Sequence, residues 1–354
     1  MPSISRLYVR LPNWVGDVCM SLPSLALLRA TGVPVTVCAR PWAQDLLAGI
    51  AAPAGLACPE LEFLPMRGAF SADRKTVRAH VRGAGAGLRA LTLPDSLSSA
   101  AVFRLAGLPT AGYRDDGRSF LLRWPITKPP APVHAVESWY FLTRAALSAW
   151  SLCAGPAQPG PELGLRPTAS QQQDADAVVA DAGLAERPFV LIAPTATGLH
   201  RGRVKVWPGF AELSRRLQAR GIAVAMCPPP AELDQARQNA PDAQVLAPLG
   251  LGAFAALTTR AALVVANDSG VSHVAAAVGA RQITLFGVTQ RERTGPWSPR
   301  ALSLGEDGHW PAVKTVLDLT SNLLQQTGTD LRGRTGAGRT GPDSAAPPDA
   351  PTPR

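Results

Sequence analysis

The sequence has little cysteine, no long apolar run and none of the common nucleotide-binding signatures. Its five cysteines are scattered along the chain, and no two of them form a C-x-x-C pair. An odd, dispersed set of thiols argues against disulfides and against a zinc site, so we expect a cytoplasmic protein without a metal centre. No apolar stretch approaches the ~20 residues of a membrane-spanning helix. The N-terminus also lacks the pattern of a secretion signal.

Three enzyme classes are disfavoured by the motifs that are missing. No G-x-G-x-x-G follows an apparent strand, which argues against a dinucleotide-dependent dehydrogenase. Neither G-x-x-x-x-G-K-[ST] nor G-x-S-x-G is present. These absences argue against a P-loop enzyme and against the nucleophile elbow of the α/β hydrolases.

Acidic residues are scarcer than basic ones. The chain has 26 Asp and Glu against 35 Lys and Arg, a formal net charge of +9. Such an excess suits nucleic acid, an anionic membrane surface or a phosphorylated small molecule as partner. Because the sequence has no zinc finger, RNA-recognition signature or compact basic helix, we do not expect a nucleic-acid partner. An arginine-rich proteome is an alternative explanation of the excess.

The sequence does contain apolar strands that alternate with amphipathic helices, in a pattern that stops and restarts. This alternation predicts an α/β chain of two Rossmann-like, doubly wound parallel domains. We expect a first domain over residues 1–160 and a second over 161–327, joined within the Gly- and Pro-rich stretch 151–170. Past Leu331 no large apolar residue remains, so residues 328–354 are predicted to form a disordered tail.

The bounds of individual elements follow from the spacing of apolar residues. The predicted strands are 6–11, 33–38, 90–94, 189–194, 222–227, 243–247, 262–266 and 282–287. The predicted helices are 18–30, 42–50, 74–90, 96–108, 136–150, 207–221, 231–240, 251–261, 271–280 and 312–326.

A polar turn in the first half follows a strand and precedes a helix, which is where doubly wound sheets bind ligands. In "LPNWVGDV", Gly16 permits a tight approach and Asp17 stands at the start of the helix. Two roles fit Asp17. It can cap the helix by accepting backbone N–H bonds, or it can act as a general base that the helix N-terminus keeps ionised.

Two loops of the second half carry groups suited to a phosphate. The segment "APTATGLHRGRVKVWP" supplies hydroxyls and cations ahead of a helix, namely Thr195, Thr197, His200, Arg201, Arg203 and Lys205. In "NDSGVSH", Asp268 or Ser269 can cap the next helix, and Gly270 lets its backbone come close to a ligand. Free N–H groups at 269–271 and the imidazole of His273 can meet an anion. A solvated loop and a simple cap are the alternatives, but together the loops favour a nucleotide diphosphate site.

Several segments, in order along the chain, resemble the motifs of one enzyme family. They are "LPNWVGDVCMSLPSLALLR", "TLPDSLSSAAVFRLAGLPTAGYRDDGRSFLL", "HAVESWYFL", "KVWPGFAELSRRL" and "NDSGVSHVAAAVGARQITLFG". The family is glycosyltransferase family nine, the ADP-heptose:lipopolysaccharide heptosyltransferases, and the resemblance is greatest to the heptosyltransferase II group. It implies a GT-B fold, in which two Rossmann-like domains face a cleft. The second domain then holds the nucleotide sugar and the first holds the acceptor.

The resemblance also implies residue roles. Asp17 would deprotonate the acceptor hydroxyl, Leu249 would meet adenine through its backbone, and Glu232 is a weaker candidate for the ribose. The implied diphosphate ligands are Thr195 or Thr197, Lys205, Asp268, Ser269, Gly270, Val271 and His273. Because Thr195 stands where the family usually has glycine, which of the two threonines meets phosphate stays open.

The activity implied is an inverting, metal-independent transfer of heptose from ADP-heptose to the growing inner core of lipopolysaccharide, by a monomer that needs no cofactor. The alternatives are another nucleotide sugar or acceptor, or a nucleotide-binding protein without transfer activity. The acceptor is an anionic glycolipid, so we expect salt-sensitive association with the cytoplasmic face of the inner membrane. The basic residues expected there are Arg67, Arg74, Lys75, Arg78, Arg104, Arg114 and Arg118.

Overall fold

A computed structural model describes residues 4–50, 61–115, 117–200 and 202–336 of the chain. The strands are β1 (Arg6–Arg10), β2 (Val35–Ala39), β3 (Leu61–Pro65), β4 (Leu88–Thr92), β5 (Thr110–Tyr113), β6 (Trp124–Ile126), β7 (Phe189–Ala193), β8 (Leu199–His200), β9 (Arg203–Val204), β10 (Ala223–Met226), β11 (Gln244–Val245), β12 (Leu263–Asn267), β13 (Gln282–Leu285) and β14 (Ala301–Leu304). The helices are α1 (Val15–Met20), α2 (Leu22–Ala30), α3 (Trp42–Leu47), α4 (Phe70–Gly83), α5 (Leu97–Ala106), α6 (Ala135–Ala149), α7 (Ala169–Asp181), α8 (Phe210–Gln218), α9 (Leu233–Asn239), α10 (Leu251–Arg260), α11 (Gly270–Ala277), α12 (Arg291–Thr294) and α13 (Val313–Gly336). Single 3₁₀ turns lie at Arg118–Leu121 and Pro230–Glu232.

Two parallel sheets of six strands share one topology. Their strand orders are β3-β2-β1-β4-β5-β6 and β11-β10-β7-β12-β13-β14. Strands β8 and β9 pair only with each other; without them, and counted within its own half, each order is 3-2-1-4-5-6, the doubly wound arrangement of Rossmann domains. The predicted fold class, two Rossmann-like domains of GT-B type, is therefore confirmed. In each sheet the strand order reverses beside the first strand, so the loops after β1 and β4, and those after β7 and β12, lie at this switch point.

Alternating side chains on the central strands build layered cores. On β1, Leu7 and Val9 point into one apolar cluster while Tyr8 points into another on the opposite face. The first of these clusters continues into the second half, where it includes Phe189 and Leu191 of β7. A shared apolar layer thus lies between the two sheets and fixes how their binding edges face each other.

Several predicted bounds differ from the structure for identifiable reasons. The single helix predicted over 18–30 is two helices, α1 and α2, because Pro23 has no N–H and can stand only in a first turn. Strands β3, β6 and β14 were not predicted, because their side chains are mostly half-buried or exposed and therefore form no apolar run. The four-residue strand β5, which contains a glycine, was also not predicted.

The last helix is longer than expected. Helix α13 was predicted to end at residue 326 but continues to Gly336, so the predicted start of the tail at 328 lies within it. A polar composition does not end a helix that no proline interrupts, since each added residue still forms one backbone hydrogen bond. The remainder of the predicted tail, 337–354, lies outside the described residues. The domain limits at 160 and 327 stay predictions.

The prediction that Arg118 lies on the surface is wrong. Arg118 is 0% exposed, so it cannot contribute to a basic membrane-facing surface. Its Nε donates to the Tyr113 carbonyl at 2.7 Å and its Nη1 to the Pro94 carbonyl at 2.7 Å. The residue instead ties the end of β5 to the loop after β4. Sequence alone does not distinguish such a structural arginine from its exposed neighbours.

Candidate active site

The loops that follow β1, β7 and β12 open into one cavity of about 1260 Å³, which both halves of the chain line. All predicted site residues border it: Asp17, Thr195, Thr197, Lys205, Glu232, Leu249, Asp268, Ser269, Gly270, Val271 and His273. The structure therefore brings the three polar loops together. Asp17 stands on the wall formed by the first half, and the others stand on the wall formed by the second.

Two glycines allow the helices α1 and α11 to meet at the cavity floor. A Cβ added to Gly16 would lie 2.5 Å from Cδ2 of His273, and one added to Gly270 would lie 3.2 Å from Cβ of Val15. We expected the missing side chain at Gly270 to let a ligand come close. It also lets Val15 of the first half pack against this position. This contact fixes Asp17 close to the second-half loops.

Asp17 occupies the first turn of α1 but does not cap it. The N-cap residue is Trp14, and no side chain bonds to the N-terminus of this helix. Among the residues that the structure describes, no donor bonds to the Asp17 carboxylate. Burial raises the pKa of Asp17 to about 6. A largely buried carboxylate without a partner, and with a pKa close to neutral, has the properties of a general base.

The turn before α11 holds two buried polar atoms that lack partners. Within the described ranges, neither Oγ of Ser269 nor Nδ1 of His273 has a hydrogen-bond partner. Burial lowers the pKa of His273 to about 4, although the Asp268 carboxylate, 3.8 Å from its Nε2, opposes the shift. His273 is therefore neutral at pH 7. Buried unpaired groups beside a helix N-terminus are suited to an oxyanion that arrives with a ligand.

The loop after β7 presents Lys205 to the cavity. Its ammonium forms no ion pair with any described acid, whereas Arg203 of the same loop pairs with Asp307 at 2.5 Å. The side chain of His200 and the whole of Arg201 lie outside the described residues. Between the two loop cations whose side chains are described, Lys205 is thus the one available to an anionic ligand.

Glu232 joins the two threonines instead of leaving a choice between them. Its Oε2 accepts a hydrogen bond from Thr195 Oγ1 at 2.5 Å, and its Oε1 accepts one from Thr197 Oγ1 at 2.7 Å. Both hydroxyl protons are directed at a carboxylate in this state. A phosphate would receive these two hydrogen bonds only after the Glu232 carboxylate binds another donor.

Asn267 supports these loops and was missed as a site residue. It is fully buried at the end of β12, where its Oδ1 accepts the Trp207 N–H at 2.8 Å. Its Nδ2 donates to the carbonyls of Ala193 and Thr195, both at 3.2 Å. One side chain thus holds both ends of the loop that carries Lys205. The sequence signal was an amide directly after an apolar strand.

Two contacts between the halves were also beyond sequence analysis. Nε2 of His134 donates to the Gly295 carbonyl at 2.9 Å, and burial lowers the pKa of that imidazole. Asp45 of α3 accepts the Gly252 N–H at 3.0 Å and so caps α10 from the other half. Both join residues more than 150 positions apart. In the described part of the chain, no three His, Cys, Asp or Glu residues are placed to hold a metal ion.

Comparison with known families decides the assignment. The model of glycosyltransferase family 9 (heptosyltransferase) matches residues 81–319, which is more than half of the chain. The chain belongs to glycosyltransferase family 9. This family 9 enzyme is 27% identical to lipopolysaccharide heptosyltransferase 2 of Escherichia coli, over 82% of its own length and 85% of that protein. It is 28% identical to lipooligosaccharide heptosyltransferase 2 of Haemophilus influenzae, with the same two coverages.

Solved structures agree with this assignment. The structure of E. coli ADP-heptose lps heptosyltransferase II matches with a TM-score of 0.70 and 26% identity, over 91% of this chain and 99% of that one. A family 9 glycosyltransferase from Veillonella parvula has a TM-score of 0.75 at 16% identity, covering 92% and 98% of the two chains. At that identity the second match concerns the fold alone. The family 9 transferase therefore has the GT-B architecture expected from its motifs.

Proposed function

We propose that this family 9 enzyme transfers a heptose from ADP-heptose to the inner core of lipopolysaccharide, with inversion and without a metal ion. The observation that carries the proposal is the composition of the cavity. A base-like carboxylate, Asp17, stands on one wall, and Lys205 with the α11 turn stands on the other. The names of the relatives given above refer to lipopolysaccharide, lipooligosaccharide and ADP-heptose, which supports the choice of donor and acceptor.

The reaction that fits this cavity is a single displacement. Asp17 takes the proton of an acceptor hydroxyl while that oxygen attacks the anomeric carbon of the donor sugar. The bond from that carbon to the ADP oxygen breaks on the opposite face, so the configuration inverts. The negative charge that develops on the departing diphosphate is stabilised by Lys205, by His273 and by the backbone N–H groups at 269–271.

The nucleoside part would lie along the second half. In this proposal the backbone of Leu249 contacts adenine, and the Glu232 carboxylate accepts hydrogen bonds from the ribose hydroxyls. Glu232 would then release Thr195 and Thr197, whose hydroxyl groups could turn toward the diphosphate. Their present bonds to Glu232 support this exchange, because one carboxylate controls both hydroxyls.

The proposed place of action is the cytoplasmic face of the inner membrane. No described helix is long and apolar enough to cross a bilayer. Six of the seven arginines and lysines predicted for the membrane side are exposed in the first half: Arg67, Arg74, Lys75, Arg78, Arg104 and Arg114. A phosphorylated glycolipid surface would attract them, with each contributing about 1 kcal/mol.

The direct test offers the purified enzyme a panel of nucleotide sugars. The acceptor is lipopolysaccharide extracted from a strain that lacks the gene for this chain, because that material lacks the sugar that the enzyme adds. We expect transfer from ADP-heptose and little transfer from UDP- or GDP-sugars. Preferential transfer from a different nucleotide sugar would replace the proposed donor, and no transfer from any of them would contradict the proposal.

A further inference from the structure

A large aromatic side chain stands unpacked at the edge of the cavity. Trp14 is 71% exposed, although tryptophan is among the side chains that gain most from burial. At the N-cap of α1 its backbone carbonyl accepts the Val18 N–H, but its side chain makes no capping bond, so helix capping does not account for the indole. It lines the cavity on the wall that also carries Asp17.

Helix geometry places this indole beside the base. An N-cap residue and the third residue of a helix lie on the same side of the helix start. Trp14 and Asp17 hold these two positions in α1. The indole and the Asp17 carboxylate therefore both border the cavity from the start of α1. The remaining large side chains of this wall are Met20, Arg40 and Trp42.

A guanidinium with free donors stands on the same wall. Nη1 of Arg40 donates to the Arg67 carbonyl, and its other nitrogens have no hydrogen-bond partner among the described residues. A Cβ on Gly68 would lie 2.5 Å from that Nη1, so a glycine makes room for it. Among the described first-half residues that line the cavity, Asp17 is the one acid. The wall is therefore aromatic and cationic, apart from the base.

We propose that Trp14 is the stacking platform for the acceptor sugar and that Arg40 binds an anionic group carried by the acceptor. The inference rests on the transfer reaction proposed above and defines its acceptor subsite. A pyranose ring has an apolar C–H face, which an exposed indole can cover without a hydrogen bond. Arg40 then selects acceptors with a carboxylate or a phosphate, which it can bind through two donors.

The test separates the acceptor from the donor. Trp14→Ala, Trp14→Phe and wild type are assayed with ADP-heptose and the de-O-acylated lipopolysaccharide of the deletion strain. Phe120→Ala is the matched control, since Phe120 is 75% exposed in the same half but does not line the cavity. For Trp14→Ala we expect the KM for the acceptor to rise about tenfold, with the KM for ADP-heptose unchanged. Trp14→Phe should recover most of the loss.

Arg40→Ala, assayed on two forms of the acceptor, shows whether Arg40 binds a phosphate or a carboxylate. Hydrofluoric acid removes phosphate esters from the acceptor and leaves its carboxylates. If Arg40 binds phosphate, the penalty of Arg40→Ala disappears with the treated acceptor; if it binds a carboxylate, the penalty remains. Equal activity of Arg40→Ala and wild type on the untreated acceptor would remove Arg40 from the subsite.

Other outcomes overturn the platform. The stacking role of Trp14 would be rejected if the acceptor KM of Trp14→Ala is unchanged, or if its donor KM rises equally. It would also be rejected if Phe120→Ala shows the same rise. If the wild-type enzyme does not transfer heptose, the proposed function is rejected and the acceptor subsite needs a test of its own. Calorimetric titration of the same acceptor into wild type and Trp14→Ala then decides the subsite separately, and equal affinities would reject it.

Discussion

At the scale of single residues, the proposed role of Asp17 as the base predicts the pH range in which the enzyme acts. Burial raises the pKa of this carboxyl to about 6, so the base form is lost as the pH falls below that value. We expect kcat/KM to be level above pH 7 and to fall tenfold for each pH unit below about 6. Initial rates between pH 4.5 and 8.5 measure this. A profile that stays level down to pH 5 would contradict the role of Asp17.

Lys205 and Arg203 are cations of one loop with different surroundings. Lys205 lines the cavity and has no acid partner among the described residues, whereas Arg203 pairs with Asp307. Lys205→Ala should therefore weaken ADP binding by about 1.5–3 kcal/mol, the range for a hydrogen bond to a charged group. Arg203→Ala, the matched control, should leave it nearly unchanged. Isothermal titration with ADP compares them, and equal effects would reject Lys205 as the diphosphate ligand.

At the scale of elements, α10 is held by a residue of the opposite half. Asp45 accepts the Gly252 N–H in the first turn of α10, where Gly250, the N-cap residue, has no side chain to do so. This turn follows Leu249 directly. Asp45→Ala should loosen the proposed adenine segment and weaken ADP binding about three- to fivefold, the loss expected from one hydrogen bond.

A control for this effect lies at the other end of the same helix. Asp176 binds the guanidinium of Arg260, the last residue of α10, at 2.5 Å. Asp176→Ala removes, from α7, the ion-pair partner of the last residue of α10 and leaves the segment around Leu249 intact. ADP titration should therefore show no change for this variant. If both variants bind ADP as wild type does, the contact made by Asp45 is structural and has no effect on the nucleotide.

Elements differ in how far the sequence could predict them. The turns that carry Asp17 and His273 were predicted because strand, polar turn and helix are contiguous in sequence. The capping of α10 by Asp45 could not be predicted, since its partners are 207 positions apart. The link from Glu232 to Thr195 was missed for the same reason. Local order is therefore visible in the periodicity of the chain, whereas contacts between loops depend on the completed fold.

At the scale of the whole molecule, the sequence could predict two doubly wound sheets but not their mutual placement. The alternation of strands and helices indicated both sheets. Their facing edges depend on an apolar layer shared by both halves and on the contact between Gly16 and His273. Exposure is likewise a property of the folded chain, as the buried Arg118 demonstrates.

The charge of the first half predicts how the molecule meets a membrane. Arg74, Lys75 and Arg78 are exposed on α4. Replacing all three by serine should lower binding to anionic vesicles tenfold or more, because each cation near the surface contributes about 1 kcal/mol within ~8–10 Å. Co-sedimentation at low and moderate salt measures this. The control removes three cations of the second half: Arg215, Arg216 and Arg220. Equal losses in both variants would indicate attraction by net charge alone.

The central claim is that the two halves form one active site in which Asp17 is the base. Asp17→Asn keeps the shape of the side chain and removes its ability to take a proton. We expect this variant to bind ADP as wild type does, because Asp17 lies on the opposite wall from the diphosphate loops. Heptose transfer should fall by at least 100-fold, the range of general base catalysis. The measurement is the transfer rate of Asp17→Asn at saturating ADP-heptose and acceptor, with ADP affinity determined on the same preparation. Retained affinity with lost transfer is the predicted result; a transfer rate within a few fold of wild type would contradict the account.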